Sequence, residues 1–227
     1  MTTNGSPQLF DEENFAARAK ALDALDWQQD AATRQRLEEV DARLFQRLRT
    51  EIRGNFRDLV NRYVPQNLFA TDDIHYDLLD TFVNGLLLPR PIPTELTTSD
   101  PEMVPYQQTP SRYVFDLVDR LPITAHDVFV DIGSGLGQIA MLVNLLTGAS
   151  ARGIEVDATL CDYAATTARE LGLENVRFEN VDARAASYVE GTVFFLYKPF
   201  TGSMQAEVMN KLERESQKRA IRIVTRD

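Results

Sequence analysis

Five short apolar runs punctuate the second half of the chain: Val128–Ile132, 152–156, Val176–Asn180, Val193–Tyr197 and 221–224. Helical stretches separate them. Between the second and third runs, Leu160, Tyr163, Ala164, Thr167, Ala168 and Leu171 share one helical face, and Met204, Val208, Met209 and Leu212 do the same between the fourth and fifth. A strand followed by a helix and a further strand returns parallel to the first. The repeat therefore predicts a doubly wound α/β fold, a mostly parallel sheet with helices on both faces.

The first half follows another pattern. Residues 11–64 are rich in Ala, Leu, Glu, Arg and Gln, with one glycine, Gly54, and no proline, a composition that predicts helices. Leu37, Val40, Leu44, Leu48 and Ile52 recur at steps of three and four, which draws one apolar stripe along a long helix. The stripe serves either for packing within its own domain or as a homodimer seam. A shorter helix is expected over 78–88. Five prolines between Pro89 and Pro105 then interrupt regular structure. We place the boundary there, with a helical extension and Pro-rich linker over 1–104 and a core over 105–227. The core opens on a helix with Thr109 as N-cap and Pro110 in the first position.

The 227 residues carry a net charge of −10 and are 44% hydrophobic, enough for a sizeable core. Binding to phosphate backbones needs clustered Lys and Arg, so nucleic acid is not an expected partner, whereas a basic protein is compatible with the charge. No run of about 18 apolar residues occurs, and the N-terminus lacks the basic start and apolar stretch of a signal peptide. No membrane partner is expected, and the expected location is cytoplasmic. A single cysteine, Cys161, excludes an intramolecular disulfide and a Cys-based zinc site. Two histidines, His75 and His126, supply little for a transition-metal centre, so no metal is expected.

The first strand runs into a glycine loop, VFVDIGSGLGQ at 128–138. A dinucleotide-binding loop places its third glycine so that the helix packs close while its N-terminus meets a pyrophosphate. Gln138 occupies that position here. The glycines are instead Gly133, Gly135 and Gly137, with Asp131 two residues before the first. This D-x-G-x-G-x-G spacing resembles motif I of class I S-adenosylmethionine-dependent methyltransferases. The resemblance implies a Rossmann-like fold and S-adenosyl-L-methionine as cofactor, with Asp131, Gly133, Ser134, Gly135 and Gly137 against its methionine part. Glu155, 22 residues after Gly133, stands where an adenosine-binding fold places a carboxylate on the ribose hydroxyls. Asp182 and Ala183 follow the third strand, where this class presents an acid to the adenine amino group.

A narrower likeness covers about 105–200. Tyr106-Gln-Gln-Thr109, a helix, VFVDIGSGLGQ and GIEVD resemble, in order, the cofactor segment of the disruptor-of-telomeric-silencing family of histone lysine methyltransferases. By that resemblance Tyr106 and Thr109 close over the methionine end, and Gln138 matches the glutamine that follows the glycine loop. The likeness departs after the fourth strand, where Tyr197, Lys198, Pro199 and Phe200 replace an Asn-rich stretch. Tyr197 is a candidate for contact with the cofactor, and Tyr197 and Phe200 are candidates for the acceptor pocket. Lys198 should point away from the cofactor, since two unit charges about 4 Å apart repel by about 4 kcal/mol at an effective dielectric near 20.

Methyl transfer from a sulfonium mainly needs alignment and exclusion of water. Tyr197, with an ordinary pKa of about 10, is a poor base, so no catalytic residue is assigned. Three functions stay open: an active methyltransferase with an unidentified acceptor such as a protein amine, a cofactor-binding module without catalysis, and a nicotinamide-dependent oxidoreductase, which Gln138 disfavours. The helical extension either caps the acceptor side or is a stabilising appendage. Class I methyltransferases usually have seven strands, and no residues remain here for the final hairpin. The fifth strand is therefore expected at the sheet edge, covered by the extension, paired in a dimer, or open because the chain is a fragment.

Overall fold

The computed structural model describes residues 7–26, 30–65, 76–94 and 100–226; His75 and linker residues 95–99 lie outside them. The chain forms two compact units, Met1–Pro89 with Pro110–Arg112, and Arg90–Thr109 with Tyr113–Asp227.

Among the described residues the first unit holds four α-helices, preceded by a 3-10 helix at Pro7–Phe10. The helical composition of 11–64 resolves into α1 (Phe15–Ala24), α2 (Ala31–Glu51) and α3 (Phe56–Tyr63), with a break beside Gly54. The α2 stripe of Leu37, Val40, Leu44 and Leu48 is buried, as is Ile52 at its end. α4 (Leu78–Leu87) begins with a capping box between Asp77 and Asp80, which satisfies two amides at its first turn. Phe82 of α4 meets Phe15 and Phe45 edge-on and stacks on Tyr63 at 5.5 Å. Each such pair adds about 0.5–1.5 kcal/mol beyond the area it buries. A side chain at Gly85 would overlap the Phe45 ring, so the glycine sets how closely α4 approaches α2. Arg18 is fully buried, and its charge is matched by Asp41 at 2.6 Å and by the Asp11 carbonyl at 2.8 Å. Helix α5 spans Ser111–Arg120, starting one residue after Pro110 rather than at it. The Ser111 amide donates to Asp80 Oδ1 at 2.6 Å, a partner supplied from far along the chain.

The second unit is the expected doubly wound α/β fold. Its strands are β1 (Val128–Ile132), β2 (Ser150–Glu155), β3 (Val176–Asn180), β4 (Val193–Tyr197) and β5 (Arg222–Arg226). They lie in the order β3-β2-β1-β4-β5, all parallel. Helices α6 (Gln138–Thr147), α7 (Ala158–Glu170) and α8 (Gly202–Ser216) make the crossovers. Alternation along β1 divides its side chains between two faces. Val130 and Ile132 join Phe194, Leu196, Met204, Val208 and Leu212 in one cluster under α8. Phe129 and Asp131 face the other way, where Phe129 lies against Phe195.

Two strands differ from the sequence reading because pairing, rather than apolarity, sets their ends. β2 starts at Ser150, drawn in by its register opposite Val128, and ends at Glu155. β5 is shifted to Arg222–Arg226 by its register on Val193–Tyr197. Among the described residues β5 pairs with β4 alone and forms the sheet edge. No helix among the described residues is long and apolar enough to cross a membrane.

Candidate functional site

The strand order reverses between β1 and β4, because β1 leads outward to β2 on one side while β4 pairs on the other. In open parallel sheets, ligands bind at such a switch point, beyond the carboxyl ends of the strands. The glycine loop lies there. Gly133, Gly135 and Gly137 all have left-handed backbones, with φ of 80°, 51° and 76°. These angles cost about 1–2 kcal/mol for a residue with a Cβ, which explains the glycine spacing locally. Close approach explains it a second time. A Cβ on Gly135 would overlap the Tyr106 ring, and one on Gly133 would overlap Pro199 Cβ. The segment before α5 and the turn after β4 therefore both press on the loop.

Glu155, at the end of β2, is buried. Its Oε2 accepts from the Gly135 amide at 2.7 Å and its Oε1 from the Asp157 amide at 2.9 Å. A carboxylate offers about four acceptor positions, so both oxygens retain capacity. Burial raises the Glu155 pKa, while the amides work against that rise. Asp131 is only 1% exposed, and its Oδ2 has no hydrogen-bond partner. Burial first, and the nearby Glu155 second, push its pKa up to about 8. Of the two acids Asp131 has the weaker donor support, so burial favours its neutral form the more strongly. Ser134 Oγ is also buried without a partner.

Gln138, at the start of α6, is buried and accepts from Gln108 Nε2 at 3.1 Å. Thr109 is buried and Tyr106 half-buried. Asp182 is differently engaged. Its Oδ1 takes the Arg184 amide at 2.7 Å, and Arg184 Nη2 reaches its Oδ2 at 2.6 Å, which holds the Asp182 pKa below the usual carboxylate range. The buried Ala183 accepts the Tyr188 hydroxyl on its carbonyl at 2.7 Å. Tyr197 ends β4 half-buried, and Lys198 is exposed with φ of 42°, the one non-glycine residue in left-handed backbone among those described. Phe200 is buried.

The structure thus places the loop Gly133–Gly137 between Tyr106 and Glu155 at the carboxyl ends of β1 and β2, with Asp131 near Glu155 and Gln138 held by Gln108. It ties Asp182 to a side chain that sequence reasoning passed over. Arg184 was missed because nothing in a lone arginine announces its partner. Pro199 and Glu102 were missed because their contacts, with Gly133 and with Ser203, join segments far apart in the chain. The unpartnered Asp131 Oδ2 and Ser134 Oγ, and the spare capacity on Glu155, fit a ligand that both donates and accepts hydrogen bonds. No group of three or more His, Cys, Asp or Glu side chains suited to a metal ion occurs among the described residues.

Residues 102–190 match the family described as "Histone methylation protein DOT1". No curated protein matches the chain. Among solved structures, an RNA methyltransferase from Salinibacter ruber in complex with S-adenosyl-L-homocysteine is 30% identical, with 48% of this chain and 71% of that chain covered and a TM-score of 0.44. Geranyl diphosphate C-methyltransferase from Streptomyces coelicolor A3(2), in complex with Mg2+, geranyl diphosphate and S-adenosyl-L-homocysteine, is 20% identical over 51% and 44% of the two chains, with a TM-score of 0.42. The [4+2]-cyclase SpnF is 20% identical over 60% and 52%, with a TM-score of 0.43.

Proposed function

We propose that this chain is a class I S-adenosylmethionine-dependent methyltransferase with a DOT1-type cofactor segment, that the loop Gly133–Gly137 holds the cofactor, and that the methyl acceptor is a protein amine. The observation that carries the cofactor placement is the pairing of Glu155 with the Gly135 amide beside the orphaned Asp131 Oδ2. The family match and the net charge of −10, suited to a basic protein, support the acceptor.

Glu155 orients the ribose with its spare acceptor positions. Tyr106 and Thr109 cover the methionine end and keep water from it, Gln138 and Ser134 complete that wall, and Ala183 lies beside the adenine. Asp182 serves the adenine amino group when Arg184 yields one of its oxygens. S-adenosylmethionine, when bound, supplies an electrophilic methyl group on a sulfonium. The turn Tyr197–Phe200 orients the incoming neutral amine, and the exposed Lys198 keeps its charge off the reacting atoms. Alignment and water exclusion account for the chain's contribution, so we assign no proton-transferring side chain. A cytoplasmic setting belongs to the same proposal.

Calorimetric titration with S-adenosylmethionine, S-adenosylhomocysteine and NAD, followed by transfer of labelled methyl to a cell extract, tests both parts. Binding of the first two ligands and label on protein lysines are expected. Preference for NAD overturns the cofactor placement. Label on RNA or small molecules overturns the acceptor, and tight binding without any transfer identifies a module that has lost catalysis.

A further inference from the structure

We propose that Glu102 is a positioning residue that pins a strap, residues 100–106, across the cofactor crevice and so makes closure over the cofactor and order in the acceptor-side turn a single event. The proposal rests on the cofactor placement above.

The strap is fastened at three places. At its centre, the Glu102 carboxylate caps the first turn of α8: the Ser203 amide donates to Oε1 at 3.0 Å, the Met204 amide to Oε2 at 2.7 Å, and the Ser203 hydroxyl reaches both oxygens. Those amides have no partner within their own helix, so an acid from elsewhere in the chain meets both a donor and a geometric need. A side chain at Gly202 would overlap Glu102 Oε1, which leaves the carboxylate free to lie over the helix start. Around this contact the backbones pair. The Val104 amide donates to the Pro199 carbonyl at 3.0 Å, the Thr201 amide to the Glu102 carbonyl at 2.8 Å, and Met103 bridges Phe200 in antiparallel fashion.

The two ends of the strap lie at the two ends of the proposed cofactor site. Asp100 takes the Glu102 amide at 2.9 Å and lies 3.7 Å from the same Arg184 that holds Asp182. Tyr106 lies on Gly135, and Pro199, fixed by the strap, lies on Gly133. Apolar packing on the strap comes from Met103, half-buried against the core cluster, and from Tyr106, while Val104 is 39% exposed and Pro101 and Pro105 are exposed. Removing the Glu102 carboxylate therefore loosens the strap at its centre without opening the core beneath it.

The test is a double-mutant cycle on the full chain, reading the dissociation constant and off-rate of S-adenosylhomocysteine beside the melting temperature. Glu102→Ala should weaken binding on the order of tenfold, through a faster off-rate, with a melting-temperature loss of only the few degrees expected for a missing helix cap. Glu102→Gln keeps one acceptor oxygen and should fall between. Tyr106→Ala should weaken wild-type binding but add little in the Glu102→Ala background, because an unpinned strap no longer places the ring. Additive losses, or unchanged binding in Glu102→Ala, overturn the strap. If Glu102→Ala does not fold, Ser203→Ala, which removes only the hydroxyl donor, should show a smaller rise in off-rate, and no rise overturns the proposal. A wild-type chain that binds neither cofactor form overturns the cofactor placement itself.

Discussion

Replacing Gly137 and, separately, Gly148 by alanine separates the cost of backbone conformation from the cost of close packing. Both glycines flank α6 and have nearly equal left-handed backbones, with φ of 76° and 73°. Alanine in that region costs about 1–2 kcal/mol, offset by about 0.4–1 kcal/mol because the unfolded chain also loses freedom. At Gly148 the new methyl meets only Ala125 Cβ at 3.6 Å, an ordinary contact, so the net loss should be near 1 kcal/mol. At Gly137 it meets Phe178 Cε1 at 2.5 Å and Ala164 Cβ at 2.8 Å. Overpacking of that kind adds about 1–3 kcal/mol. Urea unfolding followed by circular dichroism should place Gly137→Ala below Gly148→Ala by that amount. Phe178→Leu should narrow the gap by giving the methyl room, while leaving Gly148→Ala unchanged. Equal losses for the two variants would refute the claim that packing, beyond backbone angle, fixes the third glycine of the loop.

Two further outcomes follow from the buried acids. Asp131 is held at about 8 in the folded protein, so above the ordinary carboxylate range the native state keeps a proton that the unfolded chain has lost. Stability from this group is present at low pH and declines as pH rises toward 8, by at most about 1.4 kcal/mol per unit. Urea midpoints from pH 5 to pH 8 should fall, and Asp131→Asn should flatten the fall; an unaltered slope counts against the assignment. Glu155→Ala should lose about 1.5–3 kcal/mol of S-adenosylhomocysteine affinity per charged bond, and about 1–3 kcal/mol of stability because the Gly135 and Asp157 amides lose their acceptor. Calorimetry showing wild-type affinity in that variant removes Glu155 from the ribose.

Local signals in the sequence were reliable where the relevant interactions are local. The bounds of β1, β3 and β4 follow from their own apolar runs, and the α7 face from Leu160 to Leu171 is buried as its spacing requires. The ends of β2 and β5 depend on register with neighbours, which no single strand encodes. The glycine loop was legible because left-handed backbone leaves a residue-type signature. The partners that press on it were not: the aromatic ring of Phe178 against Gly137 and the pyrrolidine of Pro199 against Gly133 are products of tertiary approach. Asp182 was read as an adenine acid from its place after β3, but Arg184, two residues on, now engages both of its oxygens. Glu102 sits in a proline-rich stretch that reads as linker, and only the folded chain brings it to α8.

The strand order also sets a timetable for synthesis. β1 lies between β2 and β4, and Phe129 pairs with Val193, 64 residues later. At roughly 5–20 residues per second, about 3–13 s pass on the ribosome between the emergence of the two partners. During that interval β1, β2 and β3 can assemble, yet the β4-facing edge of β1 and the apolar face later covered by α8 stay open. A nascent chain in that state presents unpaired amides beside Val130 and Ile132, the two features that invite association with neighbouring chains. Slow codons before Val193 should lengthen the exposure and lower the soluble yield.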